Sequence, residues 1–260
     1  MKIEQEESEQ TSSLLAGCGA VLTGHFVGVS RKHLNLYVAK DRGTRISSVA
    51  SSLCAMLARR FADEGIDAVV SPAVGGVALS HWGGHHLTRL RPDRPEVLSL
   101  YCEHEQQVIA ACGEGSRPVR ITTSLTDVGD NGVLLLLPGQ TLVVMRQGFV
   151  LNRGFAADVK GRRVAVFEDV FTTGLSAHGS IAAVRQAGGE VVGVGVLVNG
   201  GGITAEDLGV PRIEALLNVT RRVLTEEECA APGGMCADGV PVNTEFGHGK
   251  QFLVSKGIRS

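Results

Sequence analysis

The chain has 260 residues, 43% of them hydrophobic and 20% charged, enough to bury a sizeable core as one large domain or as a domain with a smaller subdomain. A net charge of −2, with no Lys/Arg run longer than two residues, leaves no basic field and speaks against a nucleic-acid partner. No apolar stretch approaches the ~18 to 20 residues that span a bilayer, so the composition excludes a transmembrane helix and fits a soluble, cytoplasmic protein.

Residues 1–13 carry Glu4, Glu6, Glu7 and Glu9, the reverse of a basic, apolar secretory signal, and read as a solvated, disordered tail. Ile46, Val49, Ala50, Leu53, Met56, Leu57 and Phe61 then recur at three- and four-residue intervals, which predicts an amphipathic helix ended by Gly65. Ile66 to Val70, the glycine turn at 71–77 and the apolar residues up to Leu90 predict strand, turn and helix. Between Cys102 and Gly154 the pattern loosens into a β-rich excursion, with turns at Gly113 to Pro118 and Asp127 to Gly132 and strand-like runs at Val133 to Leu137 and Thr141 to Met145. Val164 to Glu168, the turn at Thr172 to Gly174, the helix Ser176 to Gln186 and the β-branched run Val191 to Val198 form a βαβ unit, whose second strand is apolar enough to be covered on both faces.

Six cysteines (Cys18, Cys54, Cys102, Cys112, Cys229 and Cys236) are scattered through a chain too large to need staples, which fits reduced thiols. Cys229 and Cys236 are close enough for a bridge or a shared metal, yet their spacing is not that of a zinc knuckle, and they read as unpaired. His81, His85 and His86 lie near helical spacing but have no acidic or cysteine partner nearby, so they read as solvated or capping residues. Gly193-Val194-Gly195 lies inside a strand run and opens no helix, so it is not a dinucleotide fingerprint.

The chemistry concentrates in Glu168-Asp169-Val170-Phe171-Thr172-Thr173-Gly174-Leu175-Ser176. Two carboxylates at the end of a buried strand precede a hydroxyl-rich turn at a helix start. In an open parallel sheet, ligands gather at the strand carboxyl ends, and a helix N-terminus offers free N–H groups and partial positive charge to a phosphate. Thr172, Thr173 and Ser176 add hydroxyl donors, and Gly174 lets the backbone close on an anion. Adjacent acids beside an anion site make sense if they accept from ribose hydroxyls and share the ligand with a bridging Mg²⁺. A capped helix end alone needs no such cluster.

These nine residues resemble the diphosphate-sugar signature of type I phosphoribosyltransferases, and Leu151-Asn152-Arg153-Gly154-Phe155 resembles the lead-in of the orotate branch. Gly24 to Val27, Ser30 to His33 and Tyr37 to Lys40 are similar to that branch's amino-terminal hood, and Pro72 to Val77 to its diphosphate loop, so the likeness covers roughly Leu14 to Val198. The resemblance implies an α/β fold with a central parallel sheet flanked by helices. It divides the chain into hood elements at 14–45, a core at 46–222 with its β-rich insertion at about 103–150, and a C-terminal extension at 223–260. It implies a Mg²⁺-dependent homodimer that moves phosphoribose from 5-phosphoribosyl-1-diphosphate to a nitrogenous base, with orotate the leading acceptor. Glu168, Asp169 and Lys40 would be catalytic, with Mg²⁺ held mainly through the substrate and partly by Asp169. Ala73, Val74, Gly75 and Gly76 would hold the diphosphate.

Two departures from the family pattern stand out, the first at the leaving diphosphate and the second at the acceptor. Where the family presents basic loop residues, this chain has Tyr101-Cys102-Glu103-His104-Glu105-Gln106-Gln107, with Arg117, Arg120 and Arg146 as candidate replacements, and where it has an orotate-pairing arginine, this chain has Gly200. An enzyme for another base, or a sensor that binds the donor without turnover, are the alternatives. The stretch Glu245 to Lys250 resembles a tail of the same branch and suggests no chemical role.

Overall fold

The structure, a computed structural model, describes residues 2–28, 30–111 and 141–257. Helix α1 (Lys2–Gly17) leads into the strands β1 (Val21–Val27) and β2 (His33–Val38), followed by α2 (Lys40–Thr44) and α3 (Ser47–Arg60). The core continues with β3 (Ala68–Pro72), α4 (Val77–Leu90), β4 (Leu98–Ala111), β5 (Thr141–Val150), α5 (Phe155–Val159), β6 (Arg163–Phe171), α6 (Leu175–Gln186), β7 (Glu190–Asn199), α7 (Ala205–Leu208) and β8 (Ile213–Asn218). The short strand β9 (Val223–Leu224) and helices α8 (Glu226–Ala230) and α9 (Gly249–Ser255) complete it.

Six strands form the central sheet in the order β5-β4-β3-β6-β7-β8. β4, β3, β6, β7 and β8 pair in parallel, and β5 is antiparallel to β4. Strand β6 shows why the sheet is covered on both sides. Successive side chains point to opposite faces. Ala165 and Phe167 therefore join Leu53, Phe61 and Leu79 on one face, while Val164 and Val166 join Ile181 and Val184 on the other. The glycines of β7 belong to this packing. A β-carbon on Gly195 would stand 2.9 Å from Phe167, and one on Gly193 would stand 2.9 Å from Phe61. The bare strand thus makes room for two buried rings, each stabilising the fold by about 1.5–3 kcal/mol.

The amino-terminal residues differ from the solvated tail that their composition predicts: they form most of α1. Glu7 is buried and bonded by Arg59 Nη2 and Arg60 Nε, each at 3.0 Å, and Thr11 and Leu15 are buried on the same helix. An acid that looks solvated in the sequence is neutralised by two guanidinium groups from the last turn of α3.

The described part of the β-rich excursion is a ribbon in which β4 and β5 pair from Glu103↔Val150 to Ala111↔Thr141, with a bulge between Glu105 and Gln106. The turns expected at 113–118 and 127–132, the run at 133–137, Cys112, Arg117 and Arg120 lie outside the described residues, as does the side chain of Arg146.

The hood is a second sheet, β1-β2-β9. Its third strand comes from the segment expected as a separate extension, which also runs back across β1. There Asn243 N donates to His25 O at 2.7 Å and His248 N to Val27 O at 2.8 Å. The stretch Glu245 to Lys250 acquires a packing role: the Arg42 guanidinium lies 4.7 Å over the Phe246 ring, which also meets Tyr37. No helix among the described residues is long and apolar enough to cross a membrane.

Candidate active site

Strand β6 carries Glu168 and Asp169 toward its carboxyl end, and the chain turns at Thr172 to Gly174 into α6. Gly174, at φ 74°, occupies the left-handed region that favours glycine, and a β-carbon there would press on Leu208 and Ile203 at 3.3–3.4 Å. No side chain caps α6, so the amides of its first turn stand open beside the exposed Thr172, Thr173 and Ser176. Glu168 and residues 170–177 line an open hollow at this point. Every residue of the signature except Asp169 thus lines one open helix end.

Both carboxylates are buried, with Glu168 4% and Asp169 2% exposed. Asp169 Oδ1 accepts from the Val170 amide at 2.6 Å, and Oδ2 pairs with Lys40 Nζ at 2.7 Å. Burial works against the charge on Lys40, but Asp169, with Glu168 behind it, outweighs burial and raises the lysine pKa. Glu168 receives the Asp169 amide on Oε1 at 3.1 Å, while Oε2 is buried with no hydrogen-bond partner. Burial first, and then the neighbouring charge of Asp169, push Glu168 up to about 8. Its ionisation therefore opposes the fold as pH rises from about 4.5 toward 8.

The loop from Ala73 to Gly76 leads from β3 into α4, with Gly76 at the N-cap. A β-carbon on Gly75 would lie 2.8 Å from Asp169 Oδ2 and 3.1 Å from Lys40 Nζ, and one on Gly76 would lie 2.6 Å from Pro72 O. Backbone without side chains is therefore needed where the loop meets the ion pair. Three segments far apart in sequence converge here: Lys40 from the hood, Asp169 from β6 and Gly75 from the loop.

Residues Tyr101 to Gln107 belong to β4, and Glu103 is held by Arg153 Nη2 at 3.0 Å and Asn152 Nδ2 at 3.3 Å. Gly200 follows β7 and donates its amide to Phe171 O at 3.0 Å. A β-carbon on Gly200 would lie 3.6 Å from the guanidinium carbon of Arg221, which reaches it from the link between β8 and β9. Arg221 is half-buried, its Nε has no hydrogen-bond partner, and burial lowers its pKa. A guanidinium thus stands beside the position where the sequence shows only glycine. No spacing joins 221 to 200, so the sequence gives no signal for it. His81, His85 and His86 cluster around Trp82 on α4, and His86 Nε2 lies 2.9 Å from Ser51 Oγ.

No family model matches the chain. Among curated proteins, it is 34% identical over 226 residues to the orotate phosphoribosyltransferase of Pelotomaculum thermopropionicum, covering 86% of this chain and 88% of that protein. It is 32% identical over 233 residues to that of Desulforamulus reducens, covering 90% and 93%. Among solved structures, the orotate phosphoribosyltransferase of Mycobacterium tuberculosis matches with a TM-score of 0.51 at 21% identity, over 82% of this chain and 97% of that one. That of Aeropyrum pernix matches with a TM-score of 0.50 at 23% identity, over 80% and 93%. The structural matches concern the fold, and the sequence matches extend over most of both chains; on that similarity the chain belongs to the orotate phosphoribosyltransferase family.

Proposed function

We propose that the protein transfers the 5-phosphoribosyl group from 5-phosphoribosyl-1-diphosphate to orotate, releasing diphosphate, as a step of pyrimidine nucleotide synthesis. The observation that carries this reading is the convergence of Lys40, Asp169 and Gly75 beside the open end of α6. The 5′-phosphate fits the amides and hydroxyls of residues 172–176. The ribose hydroxyls donate to Glu168, whose Oε2 is a buried acceptor with nothing to accept from, and to Asp169. The backbone of Ala73 to Gly76 and the Lys40 ammonium face the diphosphate.

Reaction needs a clamp more than a nucleophile from the protein. The orotate ring nitrogen forms a bond to the anomeric carbon as the bond from that carbon to the diphosphate oxygen breaks; the electron pair leaves with diphosphate, and the proton of the ring N–H passes to solvent or to the departing diphosphate. Fixed donors around the leaving oxygens and the sugar phosphate hold the two reactants in line and stabilise the developing charge. Arg221, which lies beside Gly200 and has no hydrogen-bond partner for its Nε among the described residues, would meet the orotate carboxylate with its planar fork. The buried oxygens of Glu168 and Asp169 fit a Mg²⁺ that arrives with the donor, and when bound it would neutralise diphosphate charge. The homodimer belongs to the same reading and rests on the family resemblance.

Purified protein with donor, Mg²⁺ and orotate should release diphosphate and form the nucleotide, while uracil, adenine, guanine and hypoxanthine should not substitute. Absence of turnover with all five bases would remove the enzymatic reading. The raised pKa of Glu168 gives a second expectation. Hydroxyl donors favour the carboxylate, so donor binding at pH 7 should release protons and should tighten as pH rises toward about 8, then level off. Calorimetry in two buffers of different ionisation enthalpy measures this. Proton release that persists unchanged in Glu168→Gln would assign it to another group.

A further inference from the structure

A second cluster of reactive side chains lies in the hood and takes no part in the chemistry above. His25 Nε2, His33 Nδ1, Cys229 Sγ and Cys236 Sγ all lie within 4.8 Å of one another. We infer that these four residues form a tetrahedral Zn²⁺ site that fastens the carboxyl-terminal segment to the hood.

The backbone explains how the four atoms meet. Val27 pairs with His33, and His25 precedes Val27 by two residues on the same strand, so both rings point to one face of the hood sheet. The bulge between Thr23 and Phe26 turns β1 at this point. On the other side, the chain after α8 folds tightly back: Cys236 N and Ala237 N donate to Cys229 O at 3.1 and 3.2 Å. A β-carbon on Gly234 would collide with that carbonyl at 2.1 Å, so glycine is required for the return. The return brings the second sulfur beside the first.

The spacing fits zinc. With Zn–S near 2.3 Å and Zn–N near 2.0–2.1 Å, a tetrahedron has N···S edges of about 3.6 Å and an N···N edge of about 3.3 Å. Three of the four N···S distances here are 3.6 Å for Cys229 to His25, 3.8 Å for Cys236 to His25 and 3.6 Å for Cys236 to His33, and the fourth is within 4.8 Å. The two nitrogens are closer, at 2.6 Å, which a small rotation of either ring opens. His25 Nδ1 lies 2.8 Å from Val240 O; donating there leaves Nε2 as the lone-pair nitrogen facing the cluster, as an outer partner does for a metal-bound imidazole. Cys229 Sγ accepts the Cys236 amide at 3.3 Å, which suits a thiolate.

The four ligand atoms meet in a largely buried spot: His25, His33 and Cys229 are each 0–1% exposed. Two sulfurs and two ring nitrogens converging in this way are a ligand set for a soft divalent cation, and two thiolates with two neutral imidazoles select Zn²⁺ over Mg²⁺. On binding, the two thiols lose their protons to solvent and the sulfurs take up the metal.

The test is the metal content of the full-length reduced protein, supplied with Zn²⁺ and gel-filtered, by mass spectrometry. One zinc per chain is expected, falling at least tenfold in Cys236→Ser and in His33→Ala and unchanged in Cys18→Ser. Because the variants could misfold, the unaltered protein is also loaded with Co²⁺. Intense visible bands of tetrahedral cobalt, with a near-ultraviolet thiolate charge-transfer band, are expected. A zinc content below a tenth per chain, a pale octahedral cobalt spectrum, or zinc retained in full by Cys236→Ser would each overturn the site. So would a metal-free protein whose Cys229 and Cys236 are found joined by a disulfide.

Discussion

Replacing Asp169 by Asn should lower kcat/KM for the donor by about 10² to 10⁴ while leaving the melting temperature within a few degrees. Asp169 holds Lys40 at 2.7 Å, and its loss removes both that pair and a ribose acceptor. Hydrogen bonds to charged groups contribute about 1.5–3 kcal/mol each, and two of them correspond to that range of rate. Lys40→Ala should have the same direction and a smaller size, because Asp169 and the loop backbone beside it at Gly75 remain. Steady-state kinetics at varied donor concentration, beside thermal melts, checks both. Activity within threefold of the parent in Asp169→Asn would place the reaction elsewhere.

Arg221→Ala should raise KM for orotate by about 10² to 10³, consistent with losing a bidentate charged pair, with donor affinity unchanged. Arg221→Lys should not restore it, since an ammonium cannot present the planar fork. Adding Gly200→Arg to Arg221→Ala should recover part of the loss. Gly200 has space for a β-carbon at 3.4 Å from its neighbours, and removing Arg221 frees the volume its guanidinium fills. Unaltered orotate KM in Arg221→Ala, measured at saturating donor, rejects the assignment. A change in donor affinity of equal size would mean that Arg221 acts on the hood rather than on the base.

The parts of the fold and site visible in the sequence are those built from contiguous residues. The signature Glu168 to Ser176 is strand, turn and helix in one run, so its periodicity and its chemistry are local. The same holds for α3, β3 and α4, and for the Ala73 to Gly76 loop between the last two. What stayed hidden depends on pairing between distant segments. Glu7 reads as solvated until Arg59 and Arg60 are brought against it. Arg221 has no motif around it and gains meaning only because the chain carries it to Gly200. Cys229 and Cys236 read as unpaired thiols because their histidine neighbours lie at the opposite end of the chain. β9 is only two residues long, too short for any periodic signal.

That short strand has a temporal consequence. His33 aligns with Leu224 and Leu34 with Val223, so the hood sheet joins segments far apart in sequence. During synthesis the central sheet can assemble in order, but the hood sheet waits for Val223 and Leu224, which follow the last strand of the central sheet. Closing so distant a contact is slow and entropically unfavourable before the core exists. Lys40, carried just after β2, pairs with Asp169 of the central sheet, so that ion pair bridges the late-completed hood and the core.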